Sequence, residues 1–261
     1  MKIPIYQVDA FTSELFSGNP AAVCILDEWL DDARLQAIAA ENNLSETAFL
    51  LKCGEDFKIR WFTPIREVSL CGHATLASAF VIFNCLEWSE SIVRFQSLTS
   101  GVLPVTRNDD LLEMDFPARP PSRQSVPQRL ADALNHSPVD VLGTAQDLLV
   151  VLEDERAVRE LKPDFPLLMQ IERRGTIVSA PGDRCDFVSR FFAPHVGIQE
   201  DPVTGSAHCI LVPYWAKRLG KKRLQARQVS KRGGELFCED RGDRVTIAGK
   251  AVLYLEGIIA I

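Results

Sequence analysis

Asp56-Phe57-Lys58-Ile59-Arg60-Trp61-Phe62-Thr63-Pro64 returns 130 residues later as Asp186-Phe187-Val188-Ser189-Arg190-Phe191-Phe192-Ala193-Pro194, with five identities in nine positions and Phe191 standing for Trp61. One short match is weak evidence by itself, but the context repeats as well. Each Pro leads within a few residues to a turn built from Gly and a small or polar residue, Gly72-His73-Ala74 and Gly205-Ser206-Ala207, and each turn opens a long apolar run. Those runs read as helices reaching about Leu86 and Leu219. The economical explanation is a duplicated domain in which strands surround one central helix per half.

Outward from the echo, the same vocabulary recurs. Ile3 to Val8 reads as a strand, Ser17-Gly18-Asn19-Pro20 as a turn, and Ala21 to Leu26 as a second strand. Leu35, Ile38 and Ala39 give Asp31 to Asn42 a helical period, with Asp31 and Asp32 at its electropositive start. Glu46 to Leu51 and Phe57 to Phe62 read as further strands, and Ala74 to Leu86 is so uniformly apolar or small that it reads as a helix buried on all sides. Pro117, Pro120, Pro121 and Pro127 suit neither helix nor strand and place the boundary there, giving halves 1–116 and 117–261. The final strand-like stretch, 251–261, closes either half; its sequence does not choose. The fold class is α+β.

Bulk properties narrow the function. At 261 residues and 46% hydrophobic content the chain supports a substantial core. With 29 basic against 35 acidic residues the net charge is −6, which favours neither nucleic acid nor an anionic membrane as partner. Lys217-Arg218 and Lys221-Lys222-Arg223 read as the solvated, dipole-compatible end of a helix. The first ten residues lack the apolar run of a signal peptide, and no stretch has transmembrane length. Seven cysteines without a CxxC pair fit reduced thiols, so the expected location is cytoplasmic. Four histidines without ligand spacing call for no metal.

The chemistry concentrates at the two Gly turns. A helix start leaves backbone N–H groups unpaired and partially positive, and Gly lets a ligand approach them closely. Two such starts in related halves suit a substrate carboxylate, although Gly72 and Gly205 equally serve as mere helix entries. Cys71 and His73 flank the first turn; Asp201, Thr204, Ser206 and His208 surround the second. His73 can exchange protons near neutral pH, and Asp201 before Pro202 is either a cap, a base, or both. His208, inside its helix, reads as a core residue. On the 130-residue offset Asp201 stands opposite Cys71. Glu46, in Asn43-Leu44-Ser45-Glu46-Thr47-Ala48-Phe49, reads from composition alone as an ordinary solvated glutamate.

Together the ordered motifs Tyr6-Gln7-Val8-Asp9-Ala10-Phe11, Gly18-Asn19-Pro20-Ala21-Ala22-Val23, Leu44 to Phe49, Arg60 to Pro64, Cys71-Gly72-His73-Ala74-Thr75 and Glu200-Asp201-Pro202-Val203-Thr204-Gly205-Ser206-Ala207 resemble the phenazine-biosynthesis PhzF family, whose fold is that of diaminopimelate epimerase. The resemblance spans nearly the whole chain. It implies two similar domains, each a curled, mostly antiparallel, barrel-like sheet around a central helix, with the active site in the cleft between them. It implies a cofactor-independent isomerase that moves a proton on a small carboxylate, with Glu46 as general acid/base and His73, Asp201 and Ser206 orienting substrate and proton. Backbone amides at Gly72, His73, Gly205 and Ser206 would hold the carboxylate, and Asn19 and Cys71 would line the site. It also implies a homodimer. Racemases of this fold oppose two cysteines, whereas only Cys71 is present here, so a symmetric two-thiol reaction is disfavoured. Two alternatives stay open: an epimerase in which Cys71 works with a carboxylate, and a small-acid-binding protein without turnover.

Overall fold

The structure, a computed structural model, describes residues 1–86 and 88–261. The chain divides into two compact units, Met1–Asp115 with Ala248–Ile261, and Phe116–Ile247. The first unit contains β1 (Lys2–Ala10), β2 (Asn19–Leu26), α1 (Asp32–Asn42), β3 (Glu46–Cys53), β4 (Asp56–Phe62), β5 (Glu67–Val68), α2 (Gly72–Cys85), β6 (Ile92–Ser97) and β7 (Gly101–Asn108). The chain leaves it through β8 (Leu111–Pro117). The second unit contains β9 (Ser122–Arg123), α3 (Leu130–Leu134), β10 (Asp140–Gly143), β11 (Asp147–Val151), α4 (Glu155–Glu160), α5 (Phe165–Leu168), β12 (Gly175–Pro181), β13 (Phe187–Ala193), β14 (Ile198–Asp201), α6 (Gly205–Leu219), β15 (Arg223–Gln228) and β16 (Gly234–Asp240). β17 (Arg244–Gly249) leads back to β18 (Ala251–Ala260). β18 pairs antiparallel with β1, so the C-terminal stretch belongs to the first unit.

The duplication is visible strand by strand. In the first unit β1 and β2 are antiparallel, β2 and β3 parallel, β3 and β4 an antiparallel hairpin, β4 and β6 parallel, and β6 and β7 antiparallel. In the second, β10–β11, β11–β12, β12–β13, β13–β15 and β15–β16 follow the same five senses in order. Parallel neighbours cannot be joined by a tight turn, so each parallel step carries helix. α1 bridges β2 to β3 and α4 with α5 bridges β11 to β12; α2 and α6 make the second crossover in their respective units.

Each sheet is covered on two sides, which is why β2, β3, β11 and β12 are nearly continuous buried runs rather than alternating ones. In the first unit Leu35 and Ile38 of α1 pack with Ile3, Cys24, Phe49 and Phe62. α2 packs against β1, β2, β3, β7 and β18 and is buried from His73 to Ala79, and again from Val81 to Phe83. In the second unit α3, α4 and α5 cover one core containing Leu134, Val158, Leu168, Val178, Val188 and Phe192. On α6, Trp215 stacks on Phe187 at 5.7 Å and its indole N–H donates to Ser179 Oγ at 2.9 Å. Pro213 lies within α6 and has no N–H for the Cys209 carbonyl one turn back; the Arg119 N–H donates to that oxygen instead, at 2.8 Å.

The echoed arginines do one job twice. Arg60 donates from Nε and Nη2 to Glu67 at 2.7 and 2.6 Å and lies 5.1 Å over the Phe62 ring. Arg190 donates likewise to Glu200 at 2.7 and 2.9 Å and lies 4.9 Å over Phe192. In both units the arginine on the hairpin thus reaches a glutamate on the short strand that follows, fixing the loop that leads to the central helix.

Candidate active site

The left-handed cap Asn43 (φ 48°) ends α1 and turns the chain so that β3 begins at Glu46. Beside it, the Asn42 amide donates to the Thr47 hydroxyl at 3.1 Å. Glu46 is the residue that composition makes least conspicuous, yet its carboxylate is largely shielded, with 12% of the side chain exposed, and Oε2 lies 3.0 Å from Nε2 of His73. His73 is the second residue of α2. Its other ring nitrogen lies 3.1 Å from the amide of Asn19, the first residue of β2, which is fully buried. Cys71, the N-cap residue of α2, places its sulfur 3.5 Å from the same Nδ1. The first unit therefore gathers Asn19, Glu46, Cys71 and His73 around one imidazole.

The charges follow from the geometry. Burial pushes the Cys71 thiol up to about 11, an effect reinforced by Glu46 and only partly offset by His73, so at neutral pH the thiol is protonated and uncharged. Burial alone would lower His73, yet its basicity is raised well above the ordinary histidine value by its neighbours. The first of those neighbours is Cys71 as a thiolate and the second Glu46, so with the thiol uncharged only the Glu46 contribution acts against burial. One oxygen, one sulfur and one ring nitrogen from Glu46, Cys71 and His73 lie within 4.8 Å of one another and are of types that ligate zinc. The 3.0 Å Glu46–His73 contact is within ion-pair distance, although Glu46 Oε2 makes no aligned hydrogen bond among the described residues.

In the second unit the corresponding helix starts at Gly205, with Thr204 as N-cap and Ser206 in the position His73 holds in α2. The helix starts thus set Cys71 against Thr204; Asp201 lies three residues earlier, at the end of β14, and the 130-residue offset for that pairing is corrected by the longer segment between β13 and α6. Thr75 makes the point independently: its hydroxyl donates to the Cys71 carbonyl at 2.6 Å, and His208 Nδ1 lies 2.9 Å from the Thr204 carbonyl. Asp201 accepts the Thr204 hydroxyl at 2.6 Å and so braces the N-cap residue. Gln228, buried on β15, donates to the Asp201 carbonyl at 2.7 Å and accepts the Thr204 N–H at 2.8 Å.

Two further residues emerge that sequence reading missed. Asp147, fully buried at the start of β11, accepts Arg174 Nε at 2.8 Å and Nη2 as well, and Arg174 Nη2 also lies 3.4 Å from Ser206 Oγ. The hairpin register, Thr47 facing Phe62 and Thr176 facing Phe192, sets Gly175 where the first unit has Glu46, but no local sequence signal marks Asp147 or Arg174.

The helix starts differ in how they are closed. α1, α4 and α5 begin at Asp31, Asp154 and Asp164, each of which accepts a backbone N–H of the first turn. Among the described residues, the N-cap side chains of α2 and α6 make no such bond. Both starts keep first-turn N–H groups that their N-caps leave unclaimed.

His208 is the core residue its position in the helix indicates, 5.9 Å from the Phe187 ring. Burial lowers it to about 4. Because the folded value lies below 6.5, its contribution to stability is full above 6.5 and is lost as pH falls through about 4, at most about 3 kcal/mol. Urea unfolding of wild type and His208→Gln between pH 7 and 4 should show a shallower acid loss in the variant; parallel curves would remove His208 from the account.

The family described as PhzC-PhzF, phenazine biosynthesis-like protein, matches residues 8–257. The chain belongs to the PhzF family. An uncharacterized isomerase of Pseudomonas aeruginosa is 55% identical to this PhzF-family chain over 259 residues, covering 99% of each. A PhzF-family crystal structure from Enterococcus faecalis is 48% identical, with full coverage of both chains and a TM-score of 0.97. At 9% identity and a TM-score of 0.64, a hydroxyproline epimerase from Agrobacterium vitis shares the fold. Family and named relatives support isomerase activity for the PhzF-family chain, on the α+β, epimerase-like fold. Among the described residues no helix is long and apolar enough to cross a membrane.

Proposed function

We propose that this protein is a cofactor-independent isomerase that removes a proton from a small carboxylate substrate and returns it at another position, with Glu46 as the proton carrier. The observation that carries the reading is the shielded Glu46 carboxylate held 3.0 Å from His73 at the start of α2. A shielded carboxylate beside an imidazole can take a proton and give it back without a second reagent, and the neighbouring N–H groups would stabilise the negative charge that builds on the substrate. Asp201, at the end of β14, and Ser206, in the first turn of α6, would orient substrate, and the amides at Gly72 and Gly205 would hold its carboxylate. Asn19 would fix the His73 ring. The same reading takes the enzyme to act in the cytoplasm, as a homodimer, without metal, nucleic-acid or membrane partners.

The Cys71 epimerase reading fares less well, because a thiol held near 11 is a poor base at neutral pH. Incubation in deuterium oxide with a panel of small unsaturated and cyclic carboxylic acids tests both. The expected result is deuterium incorporation into one acid, followed by mass spectrometry, with Cys71→Ser retaining the rate within about threefold, since the thiol has no role in that proton transfer. Loss of incorporation in Cys71→Ser would transfer the chemistry to the thiol. Binding without incorporation would leave a small-acid-binding protein.

A further inference from the structure

The two units place different chemistry on one frame, and the comparison assigns a role to a residue outside the motifs. In the first unit a buried side chain from the first residue of β2, Asn19, contacts the second residue of the central helix, His73, which meets Glu46 at the first residue of the parallel neighbour β3. In the second unit the first residue of β11, Asp147, grips Arg174, which directly precedes the parallel neighbour β12 and meets the second residue of the central helix, Ser206. Only the helix position is shared: by register Asp147 and Gly175 correspond to Ala21 and Glu46, so Asp147 and Arg174 lie beside, not at, the places of Asn19 and Glu46.

We propose that Arg174, clamped by Asp147, is the positioning residue for the Ser206 hydroxyl. A lone serine hydroxyl rotates among three staggered positions. Arg174 limits that freedom because its own plane is fixed: two of its nitrogens are spent on both oxygens of a carboxylate that is 1% exposed, which leaves one remaining Nη2 proton directed at Ser206 Oγ. The ring of Phe191, 5.6 Å from the guanidinium carbon, backs the plane. Gly175 makes room for this arrangement, since a Cβ there would lie 2.3 Å from Phe191 and 3.2 Å from Asp147 Oδ1. A buried carboxylate facing a guanidinium is costly to hold unless the pair is well formed, so its presence beside an otherwise unheld hydroxyl is informative.

This assignment rests on the functional reading only for Ser206's importance, so its test has a part that needs no turnover. Arg174→Met strands Asp147, and Arg174→Met with Asp147→Asn removes both charges and keeps a folded reference. In crystals of whichever variant folds, Ser206 Oγ should leave its place facing residue 174 or spread over rotamers; an unchanged hydroxyl would overturn the proposal. For the deuterium-incorporation rate, a double-mutant cycle with Ser206→Ala separates positioning from packing. The charge-neutral pair of substitutions should slow the Ser206 protein about tenfold and the Ser206→Ala protein less than twofold. Equal slowing in both backgrounds would show that Arg174 does not act through Ser206. Absence of incorporation by the wild type would sink the isomerase reading while leaving the crystallographic comparison to decide this one.

Discussion

Glu46→Gln should lose between about a hundred-fold and about ten-thousand-fold of the deuterium-incorporation rate, the range that general acid/base catalysis contributes. The substitution is nearly isosteric and keeps a side chain in contact with His73, so the thermal transition should move little. What disappears is the capacity to carry a proton: the amide does not accept one at neutral pH, and the contribution of Glu46 to the basicity of His73 goes with it. The measurement is single-turnover incorporation into the responsive acid, with folding checked by circular dichroism. A Glu46→Gln protein that exchanges at the wild-type rate would end the single-carrier mechanism, and loss in Cys71→Ser alone would install the thiol in its place.

The largest expected effect on stability lies far from that proton. Arg190→Met removes both bonds to Glu200, and the donors that Nη1 gives to the carbonyls of Val158 and Leu161 at 3.2 and 2.9 Å. It leaves Glu200, 23% exposed, without its cation. Breaking one side of a shielded pair costs about 3–5 kcal/mol, which for a unit of this size lowers the melting temperature by about 10–20 °C. Adding Glu200→Gln should restore part of the loss, because no charge is then stranded. The first unit provides the control. Arg60 has the same role, but its partners Glu67 and Asp32 are 38% and 79% exposed, so Arg60→Met should cost nearer 1 kcal/mol. Calorimetry that finds equal losses at the two arginines would refute the argument from burial.

Much of this frame is legible in sequence because period and punctuation are local properties. Leu35, Ile38 and Ala39 announce α1, the two Gly turns announce α2 and α6, and the nine-residue echo announces that the hairpins are one element used twice. Arg60 and Arg190 are visible as identities in that echo, but their glutamates are not, since Glu67 and Glu200 lie at different distances along the chain and meet their arginines only across a strand pair. The same limit explains Cys71. Counting 130 residues aligns it with Asp201, whereas the helix starts align it with Thr204, because the loop before α6 is longer. Asp147 and Arg174 were opaque for a different reason. Nothing in a lone Asp or in Glu172-Arg173-Arg174 indicates that one guanidinium is aimed inward at a buried carboxylate; only pairing β11 beside β12 brings the two together. β18 illustrates the point at the largest scale, as its choice of β1 is a matter of sheet closure that no window of sequence contains.

Gly175 carries a historical consequence. It stands where the first unit has Glu46, and the Phe191 ring already occupies the space that any side chain there would need. Phe191 is in turn the counterpart of Trp61, so the two units differ at two positions that are close in space in the second. A single Gly175→Glu step would meet an aromatic ring before it could supply a second acid. Laboratory evolution that seeks a symmetric, two-carboxylate descendant would have to make room at Phe191 as well as place an acid at position 175.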